Sequence, residues 1–563
     1  MNSRSQARLS LVVLAVYLLA VATRLAPLHW SPLPATLDGF VYADLASTAV
    51  TTGEYPLADN RADYLSSPVT LAVAALVTDI AALRLAQILY SVVGATTAVV
   101  AVLFATHLGR ARGWQPRRIA WVAALAGVGI AVEGLFVRRT GVPENEAFTL
   151  LLIPLAALAL VRLLRGGSRR WLLALLPVLI ILPLTHTFSS LIAALVFSAL
   201  IATEVTRTPD WATAGRALGI AGGFWAFIIA YYSLAGRTTL TVPYVGRVTA
   251  FPGLFLAWLI VLAVGVVWYQ RTSQRLQRAV ILAPMALFFA LTVINRVSTI
   301  FPGTANTPDR VLIFVLPLVV VVCIAGWAAP RFGDQQSVSV ILLAMVAAPI
   351  SHVFFGLTAS LTPDMFATVI RAQTFAHIPV VVVAAAAAVG VAARWDERST
   401  RRTADGNSAR ATLLAGTRLF AVVVLIAALL ATMPVAYITL DTGFYPKGPT
   451  ESELAASGFH ATYGTMPVVT DHKQGRLTRS HFGANAAREP LVTWLDGGPP
   501  PASPLLSKHY WHTDGAHLWP AAPRSISESR FDCTLTRRNR VYHTSGVHEM
   551  TLTIPGRTAT NHC

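Results

Sequence analysis

Val311-Leu312-Ile313-Phe314-Val315-Leu316-Pro317-Leu318-Val319-Val320-Val321-Val322-Cys323-Ile324-Ala325-Gly326-Trp327-Ala328-Ala329 runs between Arg310 and Arg331 without a charged side chain. A helix crossing the hydrocarbon core of a bilayer needs about 20 apolar residues, so this stretch reads as a transmembrane span. Runs of the same kind begin near Leu9, Leu85, Ile119, Phe148, Trp171, Phe188, Ala217, Phe251, Ala279, Val338, Ile378 and Leu419, which makes about thirteen expected spans. The apolar stretch Pro68 to Val77 is too short to span and is followed by Asp79 and Arg84, so it reads as an interfacial or re-entrant helix.

The composition agrees. Of 563 residues 55% are hydrophobic and 13% charged, where a soluble domain carries about 25% charged residues. Forty-four Lys and Arg against 27 Asp and Glu give a net charge of +17, which excludes an acidic disordered chain. Arginines alternating with apolar runs fit the anionic inner leaflet of a membrane better than nucleic acid, so no nucleic-acid partner is expected. Three cysteines are too few for a disulfide scaffold, and none stands in a C-x-x-C spacing.

Orientation follows from the basic loops, because cytoplasmic loops carry the excess of Lys and Arg. With the N-terminus inside, the inner segments hold Arg110, Arg112, Arg117 and Arg118; Arg162, Arg165, Arg169 and Arg170; Arg271, Arg275 and Arg278; and Arg394, Arg398, Arg401, Arg402 and Arg410. These segments carry more than twice as many Lys and Arg as the outer loops, so the N-terminus is expected in the cytoplasm. Arg4 and Arg8 before the first run, and Ala20-Val21-Ala22 near its end, also have the form of a cleaved signal peptide. Past residue 436 the chain turns polar and rich in Pro and Gly, with short strand-and-turn patterns. Residues 1–436 therefore read as an all-α polytopic membrane bundle. Residues 437–563 read as a small α/β or β-rich domain, placed outside the membrane by the odd number of spans. No internal repeat is evident, which does not favour the repeat-built transporters.

The expected outer side gathers the chemistry. Its longest loop, Ala26 to Ser66, carries Asp38, Asp44, Glu54, Asp59 and Asp63, and Leu37-Asp38-Gly39-Phe40-Val41-Tyr42 sets a carboxylate among apolar and aromatic residues. Such a group is a candidate general base, or an interfacial turn residue. In Arg138-Arg139-Thr140-Gly141-Val142-Pro143-Glu144-Asn145-Glu146-Ala147 two carboxylates lie one residue apart. They suit a shared divalent cation such as Mg2+ or Mn2+, and equally the first turn of a helix. Asn295-Arg296 and Asp309-Arg310 bracket a third outer loop, where an arginine suits a lipid phosphate or snorkels at a helix end. His186 lies in a tight hairpin between two spans and reads as a turn residue or a lipid contact. Cys533 and Cys563 are the only cysteines of the tail, and the outer compartment permits a disulfide between them.

This arrangement resembles the GT-C superfamily of integral membrane glycosyltransferases, whose acidic motif in the first outer loop matches Asp38. Thr78-Asp79-Ile80-Ala81-Ala82-Leu83-Arg84-Leu85 resembles the approach to the second span in such enzymes. Arg139 to Ala147 resembles the second acidic motif of the oligosaccharyltransferase catalytic subunit, which also has thirteen spans and an outward C-terminal domain. The resemblance covers about 430 residues. The acceptor signature Trp-Trp-Asp-Tyr-Gly of that subunit is met only by Trp494-Leu495-Asp496-Gly497-Gly498, which departs at two positions. The resemblance implies an inverting enzyme, of an archaeal kind, that moves a sugar such as mannose from a dolichyl or other polyprenyl phosphate to a glycan or glycoprotein acceptor. Asp38 would be the base. Arg310, Arg296, Arg139 and His186 would hold the lipid phosphate, and Asp38, Glu144 and Glu146 a metal. Tyr42, Trp494 and Asp496 would contact the acceptor. Oligosaccharyltransferase-like glycan transfer to protein, and lipid or polysaccharide flipping, are the alternatives.

Overall fold

All thirteen apolar runs are helical in the computed structural model, which describes residues 3–58, 60–334, 336–403, 408–438, 448–519, 521–545 and 549–556. Eleven helices among them are long and apolar enough to cross a membrane, from Gln6–His29 to Phe420–Tyr437. The run near Ile119 is a bent pair, Pro116–Val132 and Gly134–Thr140, at 67° to each other, and gives a twelfth if it counts as one span. The run near Trp171 forms Arg170–Thr185, only 16 residues with Pro177 and Pro183 inside it. At 1.5 Å per residue it is about 24 Å long, short of the roughly 30 Å hydrocarbon core. By length and composition eleven or twelve helices can span, beside about thirteen expected; Arg170–Thr185 still runs from the Arg165–Glu204 end of its two neighbours back to the Glu146–His186 end. The chain is a multi-pass membrane protein, and Ser66–Thr78 is the short apolar helix that the sequence suggests.

The bend at Glu133 explains a charge that looks out of place in an apolar run. Its two carboxylate oxygens accept from Leu135 N and Phe136 N at 3.1 and 2.9 Å, capping the second helix, and Oε2 meets His377 Nδ1 at 2.6 Å. Gly134 is needed beside it, since a Cβ there would lie 1.8 Å from the Thr432 carbonyl oxygen. Small residues of this kind let membrane helices approach closely. Arg24, fully buried, donates to Thr140 Oγ1, Ala20 O and Ile130 O, tying the first span to both halves of the bent pair.

The segment 26–66 is not an open loop. Thr36 caps a helix, Leu37–Thr52, whose apolar side joins Tyr64, Leu71, Ala86, Tyr90 and Ala147 in a core of its own. After the last span comes an α/β unit with strands β1 (Val468–Val469), β2 (Ala486–Ala487), β3 (Leu505–Lys508), β4 (Arg538–His543) and β5 (Met550–Pro555). Their order is β2-β1-β3-β5-β4, with the first three parallel and the last three antiparallel. The helix Glu451–Tyr463 opens with a capping box between Thr450 and Glu453. Cys533 is disulfide-bonded, and Cys563 lies outside the described residues.

A buried ion cluster fastens this unit. Glu453 lies 2.7 Å from Lys473 Nζ and 2.8 Å from Lys508 Nζ, and Lys508 reaches Asp471 at 3.1 Å, with all four side chains buried. Burial would raise the Glu453 carboxyl, but the two ammonium groups overcome it and hold the group well below the usual carboxylate range. Its contribution is therefore present above the unfolded-state value near pH 4.3 and is lost as pH falls below it. Glu453→Gln leaves a buried lysine short of a counter-charge and is expected to destabilise this unit by about 3–5 kcal/mol. Intrinsic-fluorescence unfolding of the full chain, which reads the buried Trp494 and Trp511, checks it.

Candidate functional site

Asp63 organises one end of the bundle. Arg61 grips its carboxylate with two parallel bonds of 2.9 and 3.0 Å, and Thr187 donates to Oδ2 from its backbone N at 3.0 Å and its hydroxyl at 2.9 Å. Thr187 is the first residue of the Thr187–Arg207 span, so the segment 26–66 is clamped onto the start of that helix. Asn145 adds a second clamp by donating to the Asp63 carbonyl at 2.9 Å while accepting from Ser67. The Arg61 guanidinium also lies 4.2 Å from the centre of the Tyr64 ring.

Asp38 stands in the first turn of Leu37–Thr52 and accepts from Arg476 of the C-terminal helix His472–Phe482. The Asp38 carboxylate raises the Arg476 guanidinium above its ordinary value more than any other neighbour, with Tyr64 adding to it. Asp38 therefore faces the junction of the two parts of the chain, beside the Tyr64–Arg61 pair. Gly39 makes this placement fit, because a Cβ there would come within 2.5 Å of Pro34 Cβ and 2.9 Å of Pro143 Cβ.

Glu146 begins the helix Glu146–Leu164, but neither it nor Asn145 caps the helix through a side chain. Its carboxylate is buried between two arginines, Arg371 Nη1 at 3.3 Å from Oε1 and Arg139 Nη1 at 3.6 Å from Oε2. Neither oxygen makes a hydrogen bond. Arg139 donates instead to Glu144 at 3.0 Å, and Arg371 to the Tyr244 hydroxyl at 2.7 Å. His186 caps Thr187–Arg207 by accepting from Ser189 N at Nδ1, and the Ser189 hydroxyl lies 2.7 Å from the same nitrogen. That leaves the imidazole proton on Nε2, 4.0 Å from Glu146 Oε1.

Aromatic rings close the cluster. Tyr244, at a left-handed φ of 67°, packs against His186 and Phe188, each at 5.8 Å, and under Arg247 at 4.6 Å. Phe188 packs in turn on His352 at 5.0 Å. His352 is buried with neither ring nitrogen hydrogen-bonded, and Arg247 Nη1 is likewise unmatched. Two residues past Arg371, Gln373 joins Phe288, Phe354, Leu357, His377 and Val380 in lining an apolar groove between helices. The arrangement offers guanidinium and phenol donors beside an apolar groove, with Asp38 free at one oxygen to take a proton.

Several sequence expectations land elsewhere. Tyr42 is 1% exposed, stacked on Tyr90 at 5.5 Å and edge-on to Tyr64, so it is core and not an acceptor contact. Trp494 is fully buried in the C-terminal core, while Asp496 is exposed and pairs with Arg524. Arg296 pairs with Asp309 on an exposed hairpin, and Arg310 beside it is exposed too. Among the described residues no group of three His, Cys, Asp or Glu stands ready for a metal. Asp38, Glu144 and Glu146 each have an arginine neighbour. The sequence reading did not single out Arg61, Tyr244, Arg247, His352, Arg371 and Arg476. Arg371 carried a signal, as a lone arginine shortly before the apolar run near Ile378.

No family model matches the chain, and no curated protein matches it. Among solved structures it is similar to ArnT from Cupriavidus metallidurans bound to undecaprenyl phosphate, with TM-score 0.45, 11% identity and 97% of each chain covered. Against ArnT from the same organism in the apo state the TM-score is 0.38, at the same identity and coverage. Identity at this level gives no residue of the present chain a role.

Gly39→Ala forces the start of Leu37–Thr52 away from Pro34 and Pro143. The expected cost is about 1–3 kcal/mol, read as a lower thermal midpoint of the full chain in detergent. An unchanged midpoint would mean that the approach of helix and loop is looser than the geometry requires.

Proposed function

We propose that this chain is a GT-C glycosyltransferase that moves one sugar, such as mannose, from a dolichyl or other polyprenyl phosphate to a glycan acceptor at the outer face of the membrane. The observation that carries the reading is Glu146, buried without a hydrogen bond between Arg139 and Arg371 beside an apolar groove. Buried polar atoms without partners are rare and call for an explanation. Donor hydroxyls reaching Glu146 and His352, and a lipid phosphate reaching Arg371 and Arg247, would satisfy them while the prenyl chain lies along the groove. Arginine forks suit a phosphate, and an apolar wall suits an isoprenoid.

In this reading Asp38 takes the proton of the acceptor hydroxyl as its oxygen attacks the anomeric carbon from the side opposite the phosphate. The sugar–phosphate C–O bond breaks, configuration inverts, and the lipid phosphate leaves with its charge stabilised by the arginines. Arg476 orients the base from the C-terminal part of the chain. In this reading residues 1–436 are the membrane domain and residues 437–563 the outer domain, with the N-terminus in the cytoplasm; the basic loops support it, and so does an odd number of crossings when the bent pair counts as one and the short helix Arg170–Thr185 as another.

The alternatives find less support. A flippase would carry functional charge inside its spans, whereas Glu133, an acid inside an apolar run, is taken up as a helix cap bound to His377. Oligosaccharyltransferase-like recognition of protein would place its signature at Trp494, which is buried.

Transfer of radiolabelled sugar from defined polyprenyl-phosphate mannose or glucose to extracted envelope glycan tests the reading. Asp38→Asn should lower turnover by at least about 10²-fold, and Arg371→Gln should do so by a similar factor through the leaving group. Full activity of Asp38→Asn would remove its role as base, and no transfer from any lipid-linked donor would remove the reading. Because the site carboxylates are neutralised by arginines, EDTA is expected to leave turnover unchanged; a loss restored by Mg2+ or Mn2+ would reinstate the metal expected at Asp38, Glu144 and Glu146.

A further inference from the structure

The helix His472–Phe482 has a second charged surface that glycosyl transfer as described does not use. His472, Arg476 and Arg479 fall at i, i+4 and i+7, on one helix face. Arg476 reaches Asp38, whereas His472 and Arg479 line a pocket of about 270 Å³ at the carboxyl ends of β1 and β2. Such strand ends are where ligands of parallel sheets commonly bind. Arg488 and Gly475 line it too, and the charge of Arg488 acts on Arg479.

The charges of this pocket are unbalanced. Neither the Arg479 nor the Arg488 guanidinium forms an ion pair within 4 Å, their bonds going to the carbonyls of Ala486, at 2.7 Å, and Trp519, at 3.5 Å, so the one rim carboxylate, Glu489, offsets two positive charges at longer range. Asp471, at the pocket's inner edge, is consumed by Lys508, Trp511 Nε1 and the backbone of Gln474. Glu489 is exposed at the rim and accepts from Arg488 N. Burial, with Arg476 and Arg488 adding to it, pushes His472 down to about 4, so it is neutral near pH 7 and the positive charge comes from the arginines. Two guanidiniums aimed at one space suit a carboxylate held in bidentate fashion, and a neutral imidazole with a rim carboxylate suits the hydroxyls of a sugar ring.

We infer that this pocket binds an acidic saccharide, a uronate unit of the acceptor, and that the helix carrying Arg476 sets the neighbouring sugar against Asp38. The assignment rests on the glycosyltransferase reading only for the word acceptor; binding itself is measured without donor, so the two fail separately. Isothermal titration of the full-length protein in nanodiscs uses D-glucuronate, D-glucose and inorganic sulfate as probes. D-glucuronate should bind at least about tenfold more tightly than either of the others, because only it offers both carboxylate and ring hydroxyls. Arg479→Gln and Arg488→Gln, on side chains with few bonds to the fold, should each weaken it by at least about tenfold, with Arg479→Lys intermediate. Equal binding of D-glucose, equal binding of sulfate, or variants that bind D-glucuronate as the wild type does would each overturn the inference. The wild-type comparison stands even where a variant does not fold.

Discussion

A carboxylate buried where no water reaches it must be matched in charge and in hydrogen bonds, and Asp63 is matched by two chain segments far apart in sequence. Arg61 supplies the charge from its own segment, and Thr187 supplies two donors from the start of a span. Much around it depends on this match. It fixes the height of the segment 26–66 on the bundle and thereby the start of Leu37–Thr52, where Asp38 sits. It also sets the position of His186, one residue before Thr187, and so the face that His186 turns toward Glu146. Loss of either half would leave a charge buried without its partner, which is why the clamp holds a long connection that the sequence shows as a loop.

How much of this was legible follows the physics of each signal. Span positions were readable because hydrocarbon demands about 20 apolar residues in a row, a demand with few exceptions. The run near Trp171 is shorter than its apolarity suggests, because apolar residues continue through Pro177 and Pro183 into the next helix and composition does not show where one helix ends. Asp38, Glu144 and Glu146 were readable as carboxylates at span boundaries, where charge is costly. Arg139, the near partner of Glu144 and Glu146, was readable too, but Arg371 and Arg476 come from segments more than two hundred residues away and pairing across such separations leaves no local pattern. Tyr42 and Trp494 show the reverse error: an aromatic residue beside an acid resembles a ligand platform, yet each is the size and shape its core requires.

Two buried clusters of charge allow scaffold and site to be told apart on one criterion. Around Glu453 every ionised group is bonded: two lysines and the Thr450 backbone meet the carboxylate, and Asp471 caps a helix while meeting Lys508 and Trp511. Of its polar atoms only Gln474 Oε1 is left unmatched, and such a network fixes one arrangement of the chain. Around Glu146 the charges balance but the hydrogen bonds do not, since Glu146, His352 and Arg247 all keep unmatched polar atoms out of water. An arrangement of that kind costs stability in the free protein and regains it only when something else supplies the missing partners. The unmatched atoms include both acceptors and donors, which hydroxyls and anionic oxygens together would satisfy; in the proposed function a sugar phosphate supplies both and its lipid lies along the apolar groove beside Gln373, whereas the bonded ions around Glu453 act as a fastening.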